Sequence, residues 1–166
     1  MSQGERIGVL FVCLGNICRS PLAKSVFRQI VRDAGLDHRV HVDAAGTSAY
    51  HVGSGPDART VATARERGLE VEHSARQVHA TDFERFDYIV VMDRENLRNT
   101  ERVRDLSGHE RDVLLLRTFD PEANGEDEVP DPWFGDEEGF VAVQQMIERS
   151  CQAFFEHIRS KHGMHQ

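Results

Sequence analysis

Short apolar runs alternate with amphipathic stretches along this sequence. Residues 7–12 read IGVLFV, a nearly continuous apolar run that is typical of a strand buried on both faces. Residues 39–45, 86–92 and 113–116 predict further strands. Apolar residues at helical spacing predict helices over 20–34, 57–67, 94–104 and 136–162. This alternation indicates an α/β fold with an open four-stranded parallel sheet, flanked by helices on both faces.

The chain has the organisation of one domain. Its 166 residues suit a single hydrophobic core, and 39% hydrophobic with 29% charged residues is typical of a globular protein. No internal repeat, linker or low-complexity segment divides the sequence. We therefore expect a single domain over residues 1–166.

A short loop and a strong helix start follow the first strand. The loop reads CLGNICR, from Cys13 to Arg19, and precedes Ser20 and Pro21. Serine is a favoured N-cap and proline is favoured as the first helical residue, so we expect Ser20 to cap the helix. Gly35 is expected to end it.

This loop has the composition of a phosphate-binding loop. Gly15 and Asn16 tolerate positive φ, so the loop can curl with its N–H groups pointing inward. In open parallel sheets, ligands bind beyond the carboxyl ends of strands, where a helix N-terminus attracts anions. Arg19 adds a planar guanidinium that can hold two phosphate oxygens at once.

Cys13 is the candidate nucleophile of the loop. A helix N-terminus and a nearby cation favour the thiolate, and Ser20 can donate a hydrogen bond to the sulfur. Two plainer interpretations are a small buried core residue and a zinc site shared with Cys18. No second cysteine pair or neighbouring histidine completes a zinc site, and Cys-x5-Arg-Ser-Pro after a buried strand favours anion binding.

Charge and cysteine usage disfavour several classes of function. The formal net charge of −8 argues against nucleic acid and anionic membranes as partners. The first apolar run is too short to span a bilayer. Three cysteines, an odd number without the spacing of a disulfide framework, favour a reducing compartment, so we expect a cytoplasmic protein. These features do not predict an oligomeric state.

Hydrolysis of a phosphate ester also needs a proton for the departing oxygen. Asp131, between Pro130 and Pro132, is the candidate, because a carboxylic acid can give that proton and then accept one from water. The prolines stiffen the backbone around it. By spacing alone Asp131 is one acid among several in an acidic loop, and a solvated turn residue is the alternative.

Together the two motifs resemble the low-molecular-weight protein tyrosine phosphatases. The most specific matching parts are VCLGNICRSP at residues 12–21 and Asp-Pro at residues 131–132. Other matching segments are residues 43–47, 53–59, 73–77 and 86–93. The resemblance implies a four-stranded parallel sheet, phosphotyrosine-containing proteins as substrates, and no metal or other cofactor.

The resemblance also implies roles for individual residues. Cys13 would be the nucleophile that becomes a phosphocysteine, Arg19 would bind the phosphate, and Asp131 would be the general acid/base. The rest of the phosphate-binding loop would comprise Leu14, Gly15, Asn16, Ile17, Cys18 and Ser20.

Further implied roles concern the support and protection of the loop. His73 would hold the loop in shape together with Asn16 and Ser20. Cys18 would form a protective disulfide with the nucleophile under oxidation. Ala44 stands where many members have a serine, so we expect a shorter supporting network here.

Selectivity for phosphotyrosine calls for a deep cleft with aromatic walls, because ring contacts add favourable energy. The predicted substrate walls are Tyr50, Trp133 and Phe134, with Leu14 and Ile17 from the loop. Related phosphoarginine phosphatases carry a threonine at the position of Ile17, and the isoleucine argues for an aryl phosphate.

Three rival functions share parts of the pattern. An arsenate reductase would need two more cysteines near the third strand, and residues 81–112 contain none. A non-catalytic phosphate-binding module could lose the acid, whereas Asp131 is present in its motif. A nucleotide-binding domain would carry G-x-G-x-x-G after the first strand, which CLGNICRS does not match.

Overall fold

The computed structural model describes residues 6–133 and 135–164. Its sheet consists of β1 (Ile7–Cys13), β2 (Val40–Gly46), β3 (Tyr88–Val91) and β4 (Val113–Leu115). The strands lie in the order β2-β1-β3-β4, and all neighbouring pairs are parallel. The predicted fold class, an open four-stranded parallel sheet, is confirmed.

Helices cover both faces of this sheet. They are α1 (Arg19–Asp33), α2 (Ala58–Glu66), α3 (Asp82–Arg85), α4 (Arg94–Ser107) and α5 (Glu137–Lys161), with a 3-10 turn at Leu116–Phe119. Apolar side chains of α1 and α5 join the core on one face, and those of α4 pack against the core on the other. None of the helices in the described part of the chain has the length and hydropathy to cross a membrane.

The central strand β1 is buried along its whole length. Phe11 faces α1 and α5, where its ring centroid lies 5.5 Å from that of Phe27 and 6.5 Å from that of Phe154. Leu10 points to the opposite face and joins the second core. Burial on both faces explains the nearly continuous apolar run. It also places Cys13 at the carboxyl edge of the sheet, at the start of the loop.

The predicted cap of α1 was wrong. The helix begins at Arg19 and has no side-chain cap, so Pro21 is its third residue and not its first. The Ser20 hydroxyl instead lies 3.0 Å from the Cys13 sulfur. The serine oxygen is therefore used inside the loop and not on the first N–H groups of the helix.

The other elements differ from their predicted bounds by a few residues. Residues 82–85 form α3, which was not predicted, and the strand predicted at 86–92 is limited to Tyr88–Val91. Asp57 and Asp136 cap α2 and α5, each accepting a hydrogen bond from a backbone N–H of the first turn. α4 extends three residues beyond its predicted end at residue 104 and stops at Gly108, whose φ of 79° is left-handed.

Candidate active site

A cleft of about 180 Å³ opens at the carboxyl edge of the sheet. Cys13 and Arg19 line it from the loop between β1 and α1. Tyr50 lines it from the segment after β2, and Asp131 and Trp133 line it from the segment before α5. The fold thus brings together residues that lie far apart in the sequence.

The loop of residues 13–20 turns sharply at Asn16, whose φ is 60°. Of the two residues expected to tolerate positive φ, Asn16 adopts the left-handed conformation and Gly15 does not. Gly15 matters for space instead, because a Cβ there would lie 3.0 Å from Cδ2 of His51. A Cβ at Gly46 would lie 2.8 Å from the carbonyl oxygen of Leu14. The loop therefore packs directly on a glycine at the end of β2.

The backbone N–H groups of residues 14–18 find no acceptor among the residues that the structure describes. Backbone N–H groups are obligatory donors, and most of them are paired in folded proteins. A run of five uncommitted donors at the start of a helix is the arrangement that binds phosphate oxygens. The loop can therefore serve as an anion cradle.

Asn16 supports this loop from behind. Its Oδ1 accepts hydrogen bonds from the backbone N–H of Arg76 at 2.9 Å and from Nε2 of His73 at 2.7 Å. Its Nδ2 donates to Oγ of Ser20 at 2.8 Å. Because the backbone N–H of Arg76 can only donate, the amide oxygen must face it, which fixes the orientation of the side chain. Ser20 therefore has its own hydrogen to donate, and the Cys13 sulfur at 3.0 Å is a nearer acceptor than the carbonyl oxygen of Ala45 at 3.4 Å.

His73, the predicted loop support, bridges Asn16 and a second partner. Its Nδ1 lies 2.6 Å from Nζ of Lys24 on α1. Burial, followed by the positive charge of Lys24, lowers the pKa of His73 to about 4. The imidazole is therefore neutral at physiological pH.

Arg19 is almost fully buried at the floor of the cleft. Its Nη1 donates to Oδ2 of Asp93 at 2.7 Å and to the carbonyl oxygen of Val129 at 3.0 Å. Burial opposes the charge, but the neighbouring Cys13 and Asp93 raise the pKa of the guanidinium above its ordinary value. Arg19 is thus a fixed, permanent cation beside the cradle.

Asp131 lies across the cleft and is more exposed than the loop residues, at 38% of its side chain. Its Oδ2 is 3.7 Å from Nη2 of Arg19, and its Oδ1 accepts a hydrogen bond from the backbone N–H of Trp133 at 3.0 Å. The carboxylate is therefore held near the phosphate-binding cation while it stays open to solvent.

The predicted aromatic walls are only partly described. Trp133 lies between the ring of His51, with centroids 5.9 Å apart, and the guanidinium of Arg59, 5.3 Å from its ring centroid. Tyr50 lines the mouth of the cleft and is 87% exposed. Phe134 lies outside the described residues. Leu14 and Ile17 line the cleft from the loop, as does Cys18.

Cys18 is a buried free thiol in the loop. Burial raises the pKa of this thiol to about 12. Cys18 is therefore protonated at neutral pH, and its pairing with Cys13 under oxidation stays a prediction.

Several residues of the site were missed by sequence reasoning. Asp93 follows β3 at the same sheet edge as the loop, a position that could have marked it as a partner of the site. Arg59 and Arg76 lie in segments that match the family, but their roles were not predicted because their contacts depend on how distant segments meet. Lys24 carries no such signal. Among the described residues, no group of three His, Cys, Asp or Glu side chains could hold a metal ion.

Comparisons with known proteins agree with this geometry. The model of the low molecular weight phosphotyrosine protein phosphatase family matches residues 8–163. A low molecular weight phosphotyrosine protein phosphatase of Gallus gallus is 41% identical over 160 residues, covering 94% of this chain and 98% of that protein. The chain belongs to the low molecular weight phosphotyrosine protein phosphatase family, and it is a hydrolase.

Solved structures are similar over nearly the whole chain. A protein tyrosine phosphatase from Entamoeba histolytica has a TM-score of 0.85 at 34% identity, covering 95% of this chain and 98% of that chain. DARP, a drosophila arginine phosphatase, has a TM-score of 0.84 at 34% identity, covering 91% and 97%. The same fold therefore accompanies proteins named for two different phosphorylated side chains.

Proposed function

We propose that this protein hydrolyses phosphotyrosine in proteins, and small aryl phosphates, through a phosphocysteine at Cys13. Asp131 acts as general acid and then as general base, and no metal takes part. The observation that carries the proposal is the position of the Cys13 sulfur, which is nearly buried and 3.0 Å from the Ser20 hydroxyl, at the base of five uncommitted N–H groups.

In the first step the Cys13 thiolate attacks phosphorus and the bond from phosphorus to the phenolic oxygen breaks. Asp131 gives its proton to that oxygen, so tyrosine leaves as a neutral phenol. The loop N–H groups and Arg19 hold the three non-bridging oxygens, where charge accumulates in the transition state. The 3.7 Å approach of Asp131 to Arg19 supports this division of roles.

In the second step a water molecule attacks phosphorus and the S–P bond breaks. The Asp131 carboxylate takes a proton from the water, which restores the acid, and inorganic phosphate leaves. Ser20 stabilises the departing thiolate with its hydroxyl hydrogen, since Asn16 already donates to the Ser20 oxygen. Each residue thus returns to its starting state.

An aryl phosphate is the substrate class that the cleft supports best. Ile17 and Leu14 present apolar side chains beside the loop, and Trp133 gives an aromatic wall. A tyrosine ring gains about 0.5–1.5 kcal/mol from an aromatic contact beyond its buried area. A guanidinium substrate would find no added carboxylate or hydroxyl at Ile17.

Two further proposals concern the whole chain. We propose that residues 1–166 form one phosphatase domain, which the family match over residues 8–163 supports. We also propose that the protein works in the cytoplasm, which is supported by the odd number of cysteines without a disulfide framework.

The proposal is tested with one peptide sequence that carries phosphotyrosine, phosphoserine or phosphoarginine, assayed with chelator and reductant. We expect phosphotyrosine to be preferred over phosphoserine by roughly 100-fold in kcat/KM. Ile17→Thr, which replaces an apolar side chain with a polar one, should reduce the preference for phosphotyrosine over phosphoarginine. A requirement for added metal, or a preference for phosphoarginine, would contradict the proposal.

A further inference from the structure

Lys24 is a nearly buried ammonium with an unusual partner. Its residue is 6% exposed, and its Nζ lies 2.6 Å from Nδ1 of His73. Burial and then the charge of Arg28 lower the pKa of Lys24, which Asp43 and Glu72 offset only in part. Among the described residues no carboxylate forms an ion pair with it. Burying a charge without a charged partner is costly. A plain surface or ion-pair role therefore does not account for Lys24.

The contact between Lys24 and His73 has a defined direction. A lysine ammonium has three donors and no acceptor, so Nδ1 of His73 must accept the hydrogen bond with its lone pair. The hydrogen of the neutral imidazole then lies on Nε2, which faces Oδ1 of Asn16 at 2.7 Å. Since Arg76 independently fixes the Asn16 amide, both ends of the imidazole meet matching partners.

The chain of hydrogen bonds continues to the proposed nucleophile. Asn16 donates to the Ser20 oxygen at 2.8 Å, and the Ser20 oxygen lies 3.0 Å from the Cys13 sulfur. The donors from Lys24 to Asn16 therefore point towards Ser20, whose hydroxyl has the Cys13 sulfur as its nearer acceptor and the carbonyl oxygen of Ala45, at 3.4 Å, as its farther one. Such a one-way chain strengthens its last hydrogen bond, because each link polarises the next.

We propose that Lys24 is a positioning residue, which locks His73 as the neutral Nε2–H tautomer and so fixes the direction of the hydrogen bonds behind Cys13. This inference rests on the proposed role of Cys13 as nucleophile. Lys24 does not touch the substrate and acts only through His73, Asn16 and Ser20.

The charges around His73 favour the same state. Lys24 and Arg28 face it from α1 and Arg76 from the segment after it, and all three oppose its protonation, while only Asp43 on β2 favours it. A proton on Nδ1 would also meet the Lys24 ammonium at hydrogen-bond distance. The imidazole therefore cannot carry a second proton without breaking the contact with Lys24.

Removing Lys24 should allow His73 to adopt two further states, the other neutral tautomer and the protonated ring. In Lys24→Met the neutral ring can place its hydrogen on either nitrogen, and only one tautomer donates to Asn16. The pKa of the ring should also rise from about 4 towards its ordinary value of about 6.5 without reaching it, because burial, the largest cause of the depression, remains. The protonated ring always carries a hydrogen on Nε2, so acid should restore the chain.

The direct test is an NMR measurement of the His73 ring nitrogens in the full-length protein between pH 5 and 8. In the wild type we expect a protonated Nε2, a bare Nδ1 and no titration in this range. In Lys24→Met we expect the midpoint to rise above that of the wild type but to stay below about 6.5, because the ring remains buried. The Lys24→Arg variant keeps a cationic donor and should restore the wild-type spectrum.

The kinetic test is the pH dependence of kcat/KM for an aryl phosphate. We expect Lys24→Met to lose roughly threefold to tenfold at pH 8 and clearly less at pH 5.5, because a misdirected hydrogen bond is worth about 1 kcal/mol. Arg32→Met is the matched control, since Arg32 is an exposed cation in the last turn of α1 and is not among the charges that act on His73. It removes a cation without touching His73 and should give an unaltered pH profile.

Three results would overturn the inference: an Nδ1–H tautomer in the wild type, an ordinary titration of wild-type His73, or a Lys24→Met loss that is equal at all pH values. The wild-type spectrum decides the first two even if the variant does not fold. If the proposed function were wrong, the wild type would lack phosphatase activity, but its His73 spectrum would still be as expected. The two failures can therefore be told apart.

Discussion

The phosphate-binding loop, residues 13–20, and the acid loop, residues 129–133, face each other across the cleft but are held in different ways. In the phosphate-binding loop, Cys13, Asn16 and Ser20 are each at most 3% exposed and are joined by side-chain hydrogen bonds. In the acid loop, the side chain of Asp131 is 38% exposed and accepts one backbone hydrogen bond, from Trp133. One side of the cleft is fixed in position, and the other stays open to solvent.

This difference matches the proposed chemistry of the two sides. The sulfur must sit in line with the departing oxygen, and small displacements of a nucleophile cost much of the rate. The acid must serve two partners in turn, a phenolic oxygen and a water molecule, so access by solvent is part of its task. Arg19 links the two sides, since it binds Asp93 and the carbonyl oxygen of Val129 at the start of the acid loop.

The largest loss of activity should come from a substitution in the phosphate-binding loop. Cys13→Ser replaces the sulfur by a poor nucleophile of similar size and should abolish turnover, while phosphate or vanadate binding stays measurable by calorimetry. Cys151→Ala is the matched control, because Cys151 is a buried cysteine of α5 whose thiol faces the carbonyl oxygen of Ala23 on α1, in the core. It should keep its activity. Turnover that survives Cys13→Ser would rule out the mechanism.

A smaller loss should follow from removing the acid on the open side. Asp131→Ala should lower kcat for an aryl phosphate by about 10²–10⁴-fold, because the departing oxygen no longer receives a proton. The loss should shrink as the leaving group becomes more acidic, which a series of substituted phenyl phosphates measures.

The control for Asp131→Ala is a nearby acid. Asp127→Ala removes a carboxylate that pairs with Arg94 at 2.7 Å, away from the cleft, and should leave kcat unchanged. Equal losses of Asp131→Ala across the phenyl phosphate series would show that Asp131 is not the acid.

Removing the contact between Asp93 and Arg19, the residue that links the two sides of the cleft, should have an intermediate effect on activity. Asp93→Asn keeps an oxygen that can cap α4 but loses the charge that holds Arg19, a hydrogen bond worth about 1.5–3 kcal/mol. We expect kcat/KM to fall roughly 10-fold to 100-fold. The thermal midpoint should fall by a few degrees, because the same hydrogen bond stabilises the folded state. An unaltered kcat/KM would mean that Val129 alone positions Arg19.

The smallest expected effect is on the pH dependence of the free energy of unfolding. The pKa of His73 is lowered to about 4 in the folded state, so the unfolded chain binds more protons between about pH 6.5 and 4. The stability contributed by neutral His73 is complete above pH 6.5 and is lost as the pH falls towards 4. Urea unfolding at several pH values measures this. Between pH 6.5 and 4 the free energy of unfolding should fall more steeply for the wild type than for His73→Gln.

The slope of the free energy of unfolding against pH should be small, because it comes from one group that is partly exposed to solvent. A single group contributes at most about 1.4 kcal/mol per pH unit, and partial exposure of His73 reduces it. Parallel stability curves for the wild type and His73→Gln over this pH range would contradict the assignment of a neutral His73.

The fold was largely predictable because its signals are local. The apolar run of β1 and the aspartates that cap α2 and α5 each report on their own segment. Ser20 shows the limit of such signals, since the same hydroxyl suits a helix cap and a thiolate partner. Only the folded loop decides between them.

The site was predictable where a motif is contiguous. Cys13 and Arg19 come from one segment, and Asp131 was identified by its resemblance to a family motif. Lys24 and Asp93 were not identified, because their partners lie 49 and 74 residues away. A single sequence does not directly show which residues so far apart come into contact.

The central claim is that a phosphoryl group passes through the Cys13 sulfur. The most direct measurement mixes an aryl phosphate with the Asp131→Ala protein, quenches the reaction within one turnover and maps the modified peptide by mass spectrometry. We predict one phosphoryl group on Cys13, formed together with a stoichiometric burst of phenol. A burst with the phosphoryl group on another residue, or phenol release without any phosphorylated protein, would contradict the account.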